Sequence, residues 1–275
     1  SAQLRKSFNF GLDLSASYTI SKAKSYTEGI GDQVSSAYNN YRNSINAVND
    51  NELGYATYVA PSRLLVSASY KLKETKNATS TFSLVYDAYQ FAYLGSYSYS
   101  RYSYIFSSNI NNDPSAPGNL IYVPASRQEL NSWDFKEGKV GGKTYTADMQ
   151  RDDFWAYIQQ DDYLKDRTGQ YAERGGAKMP WHHQLDFRYV RDMNVMLGKT
   201  KHTLQLGIDI ENLPNFLCKD WGLYKQITGN TLLTYDAKSN QYQYILVNGE
   251  RHLSTSQNYE TLASTYRIMF TIRYL

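Results

Sequence analysis

Residues 264–275 close the chain in strict alternation, with Tyr266, Ile268, Phe270, Ile272 and Tyr274 at one parity and Thr265, Arg267, Met269, Thr271 and Arg273 at the other. Successive side chains of a strand point to opposite faces, so this spacing predicts one apolar face with a tyrosine at each end and one polar face. A soluble sandwich would bury the apolar face under a second sheet. A strand in lipid would keep it outward, with its tyrosines at the two rims of the hydrocarbon layer. From Tyr266 to Tyr274 the climb along a membrane normal is roughly 20 Å, at about 3.3 Å per residue and a tilt of about 40°.

The same signature recurs along the chain. Strands are predicted at about 4–22, 63–73, 79–90, 181–197, 202–212 and 263–275. In the first, Phe8, Phe10, Leu12, Leu14, Ala16, Tyr18 and Ile20 alternate with Ser7, Asn9, Gly11, Asp13, Ser15, Ser17 and Thr19, which reads as one long strand. Leu64, Val66, Ala68, Tyr70 and Leu72 share a face in the second, and Phe82, Leu84, Tyr86 and Ala88 in the third. Leu185, Phe187 and Tyr189, then Leu204, Leu206, Ile208 and Ile210, mark the next two. All six prolines (61, 114, 117, 124, 180 and 214) fall outside these strands, as their missing amide donors require.

Between the strands the connections alternate in length. Lys76-Asn77 and Gly198-Lys199 sit in tight turns, whereas residues 23–62, 91–180 and 213–262 form long loops. The longest contains a tyrosine-rich hairpin arm at 96–104, a short strand ending at Pro124, and a helix near 147–165 marked by Phe154, Tyr157 and Ile158. A further hairpin is expected from residues 231–235 and 242–247. Asn77-Ala78-Thr79 matches a glycosylation sequon, but its place in a tight turn reads as structural.

Composition removes several classes. Mean hydropathy is −0.59 and no run approaches the roughly 18 apolar residues of a membrane helix, which excludes helical insertion and leaves a β-barrel open. Tyrosine is in excess, at 27 of 275 residues, as suits membrane girdles or a glycan- or peptide-facing surface. A net charge of +3 gives no footprint for nucleic acid. The single cysteine, Cys218, excludes an internal disulfide. Ser1-Ala2-Gln3 runs directly into strand pattern without a leader signature, so an exported chain is expected to have lost its leader or to lie downstream of it.

Short turns on one side and long loops on the other is the asymmetry of outer-membrane barrels. Six strands with both termini on one side suit that topology but cannot close a lipid-embedded barrel, since an open edge in hydrocarbon leaves backbone groups unpaired. The expected fold is therefore all-β: an antiparallel transmembrane barrel of which this chain supplies about six C-terminal strands, the last pairing with a first strand outside this sequence.

Several loop stretches point to one family. Asn119-Leu120-Ile121-Tyr122-Val123-Pro124, Asp161-Asp162-Tyr163-Leu164 through Gly169-Gln170-Tyr171-Ala172-Glu173-Arg174, Pro180-Trp181, and Leu217 through Trp221-Gly222-Leu223-Tyr224-Lys225 resemble the C-terminal half of TonB-dependent outer-membrane receptors of Bacteroidota, nearest to the Oar-like branch. The resemblance runs from about residue 60 onward. It implies a 22-stranded barrel, an N-terminal plug and TonB box, and the outer membrane of a Gram-negative bacterium, crossed many times. It also implies import of a scarce nutrient (siderophore, vitamin, glycan or peptide) with inner-membrane energy. Implied partners are TonB with the ExbB-ExbD complex, outer-membrane lipid, the barrel-assembly machinery and a surface lipoprotein; no cofactor and no nucleic acid is implied. Members normally end in an aromatic residue, whereas this chain ends at Leu275.

Candidate ligand-binding residues are the loop aromatics Tyr97, Tyr99, Tyr102, Tyr104, Trp133, Trp155 and Trp221, which offer stacking area for sugars, peptides or cofactors and equally suit loop self-packing or rim anchoring. On the polar face, Asp13, Asp87, Asp186, Arg188, Asp209, Glu211, Arg267 and Arg273 either line a substrate path or solvate a lumen and brace a plug. Gly11 and Gly207 point the same way and either leave room for close approach or are simply tolerated strand glycines. His182 and His183 are adjacent in a strand and face opposite sides, which argues against a shared metal. Residues 109–113 and Asp161-Asp162 are oxygen-rich without the spacing of an EF-hand. No catalytic pattern stands out, so no enzymatic role is expected; an outer-membrane protease or lipase and a soluble glycan-binding sandwich are the rival readings.

Overall fold

In a computed structural model, which describes residues 1–26, 33–34, 43–45, 52–94, 97–107, 110 and 118–275, the chain is mostly antiparallel β. Seven strands form one sheet in sequence order: β1 (Ala2–Ser7), β2 (Leu12–Ile20), β3 (Ser62–Lys73), β4 (Ala78–Gln90), β5 (Trp181–Leu197), β6 (Thr200–Glu211) and β7 (Arg267–Tyr274). Each pairs antiparallel with its neighbours, so β1 and β7 are open edges and the sheet does not close on itself.

Register carries the alternation across the whole sheet. Leu12, Tyr70, Phe82, Tyr189, Ile208 and Phe270 are successive partners on one level. A second level runs through Leu14, Ala68, Leu84, Phe187, Ile210 and Ile268. Cross-strand partners share a face, so these levels build one apolar surface that extends from β2 to β7. The opposite face is polar and braced by ion pairs: Arg63 to Asp87 (2.7 Å), Arg188 to Asp209 (3.4 Å) and Arg267 to Glu211 (2.8 Å). Gln205 also donates to Asp192 at 2.8 Å and Thr203 to Asn194 at 2.8 Å.

The predicted first strand proves to be two. Residues 8–11 turn the chain back, with the Phe8 amide donating to the Leu12 carbonyl at 2.8 Å and Gly11 to Phe8 at 3.1 Å. Gly11 holds φ at +96°, and a Cβ there would stand 2.4 Å from the Lys71 carbonyl oxygen, so both the dihedral and the close approach require glycine. Its inward strand position is thus corrected to a turn. Seven strands instead of six also overturn the expected common side for the termini: β1 starts at the long-loop edge and β7 ends at the tight-turn edge. The extra turn joins the other tight turns, so the short-long rhythm gains one more beat.

The buried core lies in the loops. Residues of 102–179 and 224–244, among them Tyr104, Ile121, Leu130, Phe154, Tyr157, Ile158, Leu164, Leu232 and Tyr244, pack into one continuous apolar cluster. Short strands frame it: Tyr122–Val123 pairs with Gln170–Tyr171, Ile105–Phe106 runs parallel to Thr231–Asp236, which pairs with Gln241–Tyr244, and Tyr224–Ile227 pairs with Ser256–Tyr259. Helix α1 (Ala147–Gln160) lies at its centre, within the predicted window. This body joins the sheet at its long-loop edge through Gln90 to the Met179 carbonyl (3.4 Å) and the Tyr224 hydroxyl to the Phe91 carbonyl (2.9 Å).

Replacing Gly11 with alanine forces a left-handed residue against backbone and is expected to destabilise the β1–β2 hairpin by about 1–3 kcal/mol. Gly11→Ala should lower the denaturant midpoint for loss of β structure, while Ser15→Ala, on the polar face of β2, should leave it within about 0.5 kcal/mol.

Candidate functional site

Helix α1 assembles the chemistry of the loop body. Thr146 caps it, its hydroxyl accepting from the Met149 amide at 3.3 Å. The buried positions Gln150, Asp153, Phe154, Tyr157 and Ile158 follow the i, i+3, i+4, i+7, i+8 stripe of a core-facing helix, although two of the five are polar. Those two make bonds that a core requires of buried polar groups. Gln150 donates to the Lys136 carbonyl at 2.7 Å and accepts from the Tyr244 amide at 2.9 Å. Asp153 accepts from the Tyr145 hydroxyl at 2.6 Å and from both guanidinium nitrogens that Arg251 directs at it, Nε at 2.5 Å. Burial, with the bond to Asp153, pushes the Tyr145 hydroxyl well above its ordinary pKa, and the carboxylate raises that of Arg251.

At the other end of α1, Asp161 collects four donors: the hydroxyls of Tyr104 (2.6 Å) and Thr255 (2.9 Å) and the amides of Tyr163 (3.0 Å) and Leu164 (2.8 Å). Tyr102, Tyr104 and Tyr157 form a hydroxyl chain beside it, with steps of 3.1 and 3.2 Å. Burial raises all three phenols, that of Tyr157 to about 12, so they act as neutral donors. Both oxygens of Asp161 are thus engaged by protein, which accounts for its place in an oxygen-rich stretch. Asp162 instead pairs with Lys165 at the surface. Residues 109 and 111–113 lie outside the described residues, and no cluster of three or more potential metal ligands occurs among the described ones.

His252 lies buried beside this network, its Nε2 2.8 Å from the Thr228 hydroxyl and its ring between Tyr157 (4.7 Å) and Tyr244 (6.3 Å). Loss of hydration lowers its pKa to about 4, so the ring is neutral in the folded protein.

The seven candidate aromatics are not brought to one surface. Tyr102 and Tyr104 are buried, their rings edge-to-face at 5.2 Å, so they are core residues and not an accessible stacking platform. Tyr99, Trp133 and Trp155 are half-buried against the same core, Trp133 with its ring 4.9 Å from that of Tyr242. Trp221 stands apart and is 58% exposed. Tyr97 belongs to a short strand, Tyr97–Tyr99, paired with Ala92–Leu94, and its side chain lies outside the described residues.

A different group does converge. Where the polar face of the sheet meets the loop body, a cleft of about 180 Å³ is lined by Tyr89, His182, Gln184, Glu211, Tyr224 and Arg267, with Phe91 and Asn212. Alternation alone puts Tyr89, His182, Gln184, Glu211 and Arg267 on this face. His182 is buried between Tyr89 and Tyr224, with ring centroids at 5.2 and 4.8 Å, and its Nδ1 has no hydrogen-bond partner among the described residues. His183 points the other way, toward Tyr86 on the apolar face (2.8 Å). A second cleft, of about 410 Å³, lies between residues 43–45 and 52–54 on one side and Arg167 to Arg174 on the other. Arg174 spends its guanidinium there on the carbonyls of Ser25, Tyr26 and Glu52. The chemistry on offer is hydrogen bonding and aromatic contact to a small polar ligand. The place of His182 in this cleft does not show in the sequence, where two adjacent histidines raise only the question of a shared metal.

No family model, curated protein or solved structure matches the chain.

Arg251→Met strands the buried Asp153 carboxylate and is expected to cost about 3 kcal/mol or more, read by denaturant unfolding followed through tyrosine near-ultraviolet dichroism. His252 supplies a pH signature. Its folded pKa of about 4 lies below the unfolded value of about 6.5, so on acidification the unfolded chain takes up the proton first. Stability of the loop body should be level in this respect above pH of about 6.5, fall between about 6.5 and 4, and level again below. His252→Phe should remove that slope.

Proposed function

We propose that the chain is the C-terminal portion of a TonB-dependent outer-membrane transporter, supplying seven strands of a larger closed barrel of about 22. The observation that carries this reading is the inverted placement of apolar surface. The loops bury their own core, while the large sheet leaves its apolar face bare: Leu4 is 74% exposed, Phe270 75%, Ile272 75% and Tyr274 70%. A water-soluble protein rarely leaves an apolar surface of this breadth uncovered, and hydrocarbon is the solvent in which it is satisfied. Aromatic residues also line up across this face, where Tyr70, Phe82 and Tyr189 are cross-strand partners and the last two rings stand 5.0 Å apart. The reverse face, with its ion pairs and hydrogen-bonded amides, suits a water-filled lumen. Among the described residues no helix is long and apolar enough to cross a membrane.

In this reading the polar-face carboxylates and arginines, including Asp87, Glu211 and Arg267, line the lumen and meet the plug. The loop body forms part of the outer mouth, and the cleft around His182 lies where a nutrient would pass from one to the other. TonB and the ExbB-ExbD complex act through the plug, the barrel-assembly machinery inserts the strands, and a surface lipoprotein is the further partner that the family resemblance brings. No catalysis is assigned.

Two measurements test it. Phe270→Arg puts a charge mid-height on the lipid-facing surface and is expected to cost about 2–4 kcal/mol, abolishing accumulation in the outer-membrane fraction, whereas Thr271→Lys on the polar face should leave accumulation near normal. Equal tolerance of both would overturn the barrel. Transport itself requires the full reading frame to encode a plug and TonB box upstream of residue 1; a frame without them would leave a barrel of another function.

A further inference from the structure

Strand β6 leaves the sheet through a compact knuckle in residues 212–222. Asn212 adopts a left-handed conformation (φ +54°) and helix α2 (Leu213–Leu217) follows, with Pro214 in its first turn. Two asparagines lock it. Asn212 donates through Nδ2 to the carbonyls of Gly222 (2.9 Å) and Ser264 (3.2 Å), and its amide donates to Asp186 at 2.9 Å. Asn215 donates to the carbonyls of Lys219 (3.0 Å) and Trp221 (3.1 Å) and accepts from the Tyr266 amide at 3.2 Å. Gly222, at φ +62°, lies so close that a Cβ would stand 2.0 Å from Asn212 Oδ1.

So heavily braced a turn holds apolar side chains in the open. Leu217 is 66% exposed, Trp221 58% and Phe216 44%, with charged Lys219 and Asp220 between them. The patch is continuous with the bare face of the sheet. Phe216 packs edge-to-face on Tyr266 at 5.2 Å, and Tyr266 stands one step above Ile268 and Phe270 at the same parity. An aromatic-aliphatic cluster interleaved with charges, at one end of an apolar band, is the composition of a membrane interface, where Trp and Tyr rings sit at headgroup level and charged ends reach water.

We infer that this knuckle is a membrane-interface anchor, in which Phe216, Leu217 and Trp221 enter the headgroup and upper acyl region of the leaflet on the long-loop side. The inference rests on the lipid-facing reading of the sheet and adds to it a site that no strand supplies. The anchor sets the height of β6 and β7 in the bilayer, and the asparagine bonds keep the side chains from collapsing onto the loop body.

The test uses the full gene product in phospholipid vesicles, with Cys218→Ser as background and single nitroxide labels at Leu217→Cys, Phe270→Cys and Lys238→Cys. Collision with dissolved oxygen and with a water-soluble nickel chelate reports depth. The expected result is a label at 270 screened from the chelate, one at 238 open to it, and one at 217 between them, shallower than 270. A label at 217 as open to the chelate as 238, with 270 screened, overturns the anchor and leaves the barrel standing. Screening of 217 from both reagents means that protein covers the knuckle, a second copy or a partner, and also overturns it. Labels at 270 and 217 both open to the chelate overturn the lipid-facing reading with it. As a second readout, Asn215→Ala should loosen the knuckle and raise label mobility at 217 without changing the depth at 270.

Discussion

Side-chain alternation along seven hydrogen-bonded strands is the constraint on which the rest of the molecule depends. Pairing fixes register, and register stacks every even-numbered apolar residue of β2, β3, β4, β6 and β7 onto one surface. A slip of one residue at any pairing would move an entire strand's set to the wrong face. The sheet is a single layer, so its backbone ladders and cross-strand contacts hold it without a packed interior. Its apolar side is left bare, because the buried core of the loop body is built from the loops' own apolar residues.

That division explains the character of the loops. A connection as long as residues 91–180 costs conformational entropy that only burial and bonding can offset. The loop body offsets it with a tyrosine-rich core in which each phenol combines apolar area with a hydroxyl that needs a partner. Asp153 and Asp161, on and just beyond α1, supply acceptors for Tyr145 and Tyr104. The arrangement works as a unit: removing an acceptor strands a buried donor, and removing Arg251 strands a buried charge. Exposed pairs on the polar face of the sheet, such as Arg267 to Glu211, contribute much less each, since water competes for both partners.

How much of this was legible in the sequence follows from the same physics. Strands β3 to β7 show directly, because a two-residue period survives any twist or tilt. The β1–β2 hairpin did not, for a geometric reason. Its turn inserts four residues, an even number, so Leu4 and Leu14 keep one parity and the reversal leaves no break in the pattern. Only Gly11 marked it. In the loops, helix α1 shows through Phe154, Tyr157 and Ile158, while the polar Gln150 and Asp153 on the same stripe carry no core signal. Tyr102 and Tyr104 were equally opaque, since tyrosine suits an open stacking surface as well as a core that supplies an acceptor. The cleft at His182 needs contacts between strands and loops far apart in the chain, which local pattern does not encode.

The register also carries a long-range consequence. The level through Leu12, Tyr70, Tyr189 and Phe270 does not keep a constant distance from the tight-turn edge. Leu12 adjoins its turn at Gly11, Tyr70 lies three residues before the end of β3 at Lys73, and Tyr189 lies eight before the end of β5 at Leu197. The drift keeps one direction from β2 to β5. Strands that step steadily in this way are tilted with respect to the line of their turns, and a steady step is the shear that a sheet needs in order to curve round and meet itself. A flat edge-to-edge stack gains nothing from it. Seven strands accumulate only part of such a circuit, and the tilt, the two open edges and the uncovered apolar face are all features that the proposed larger barrel would use.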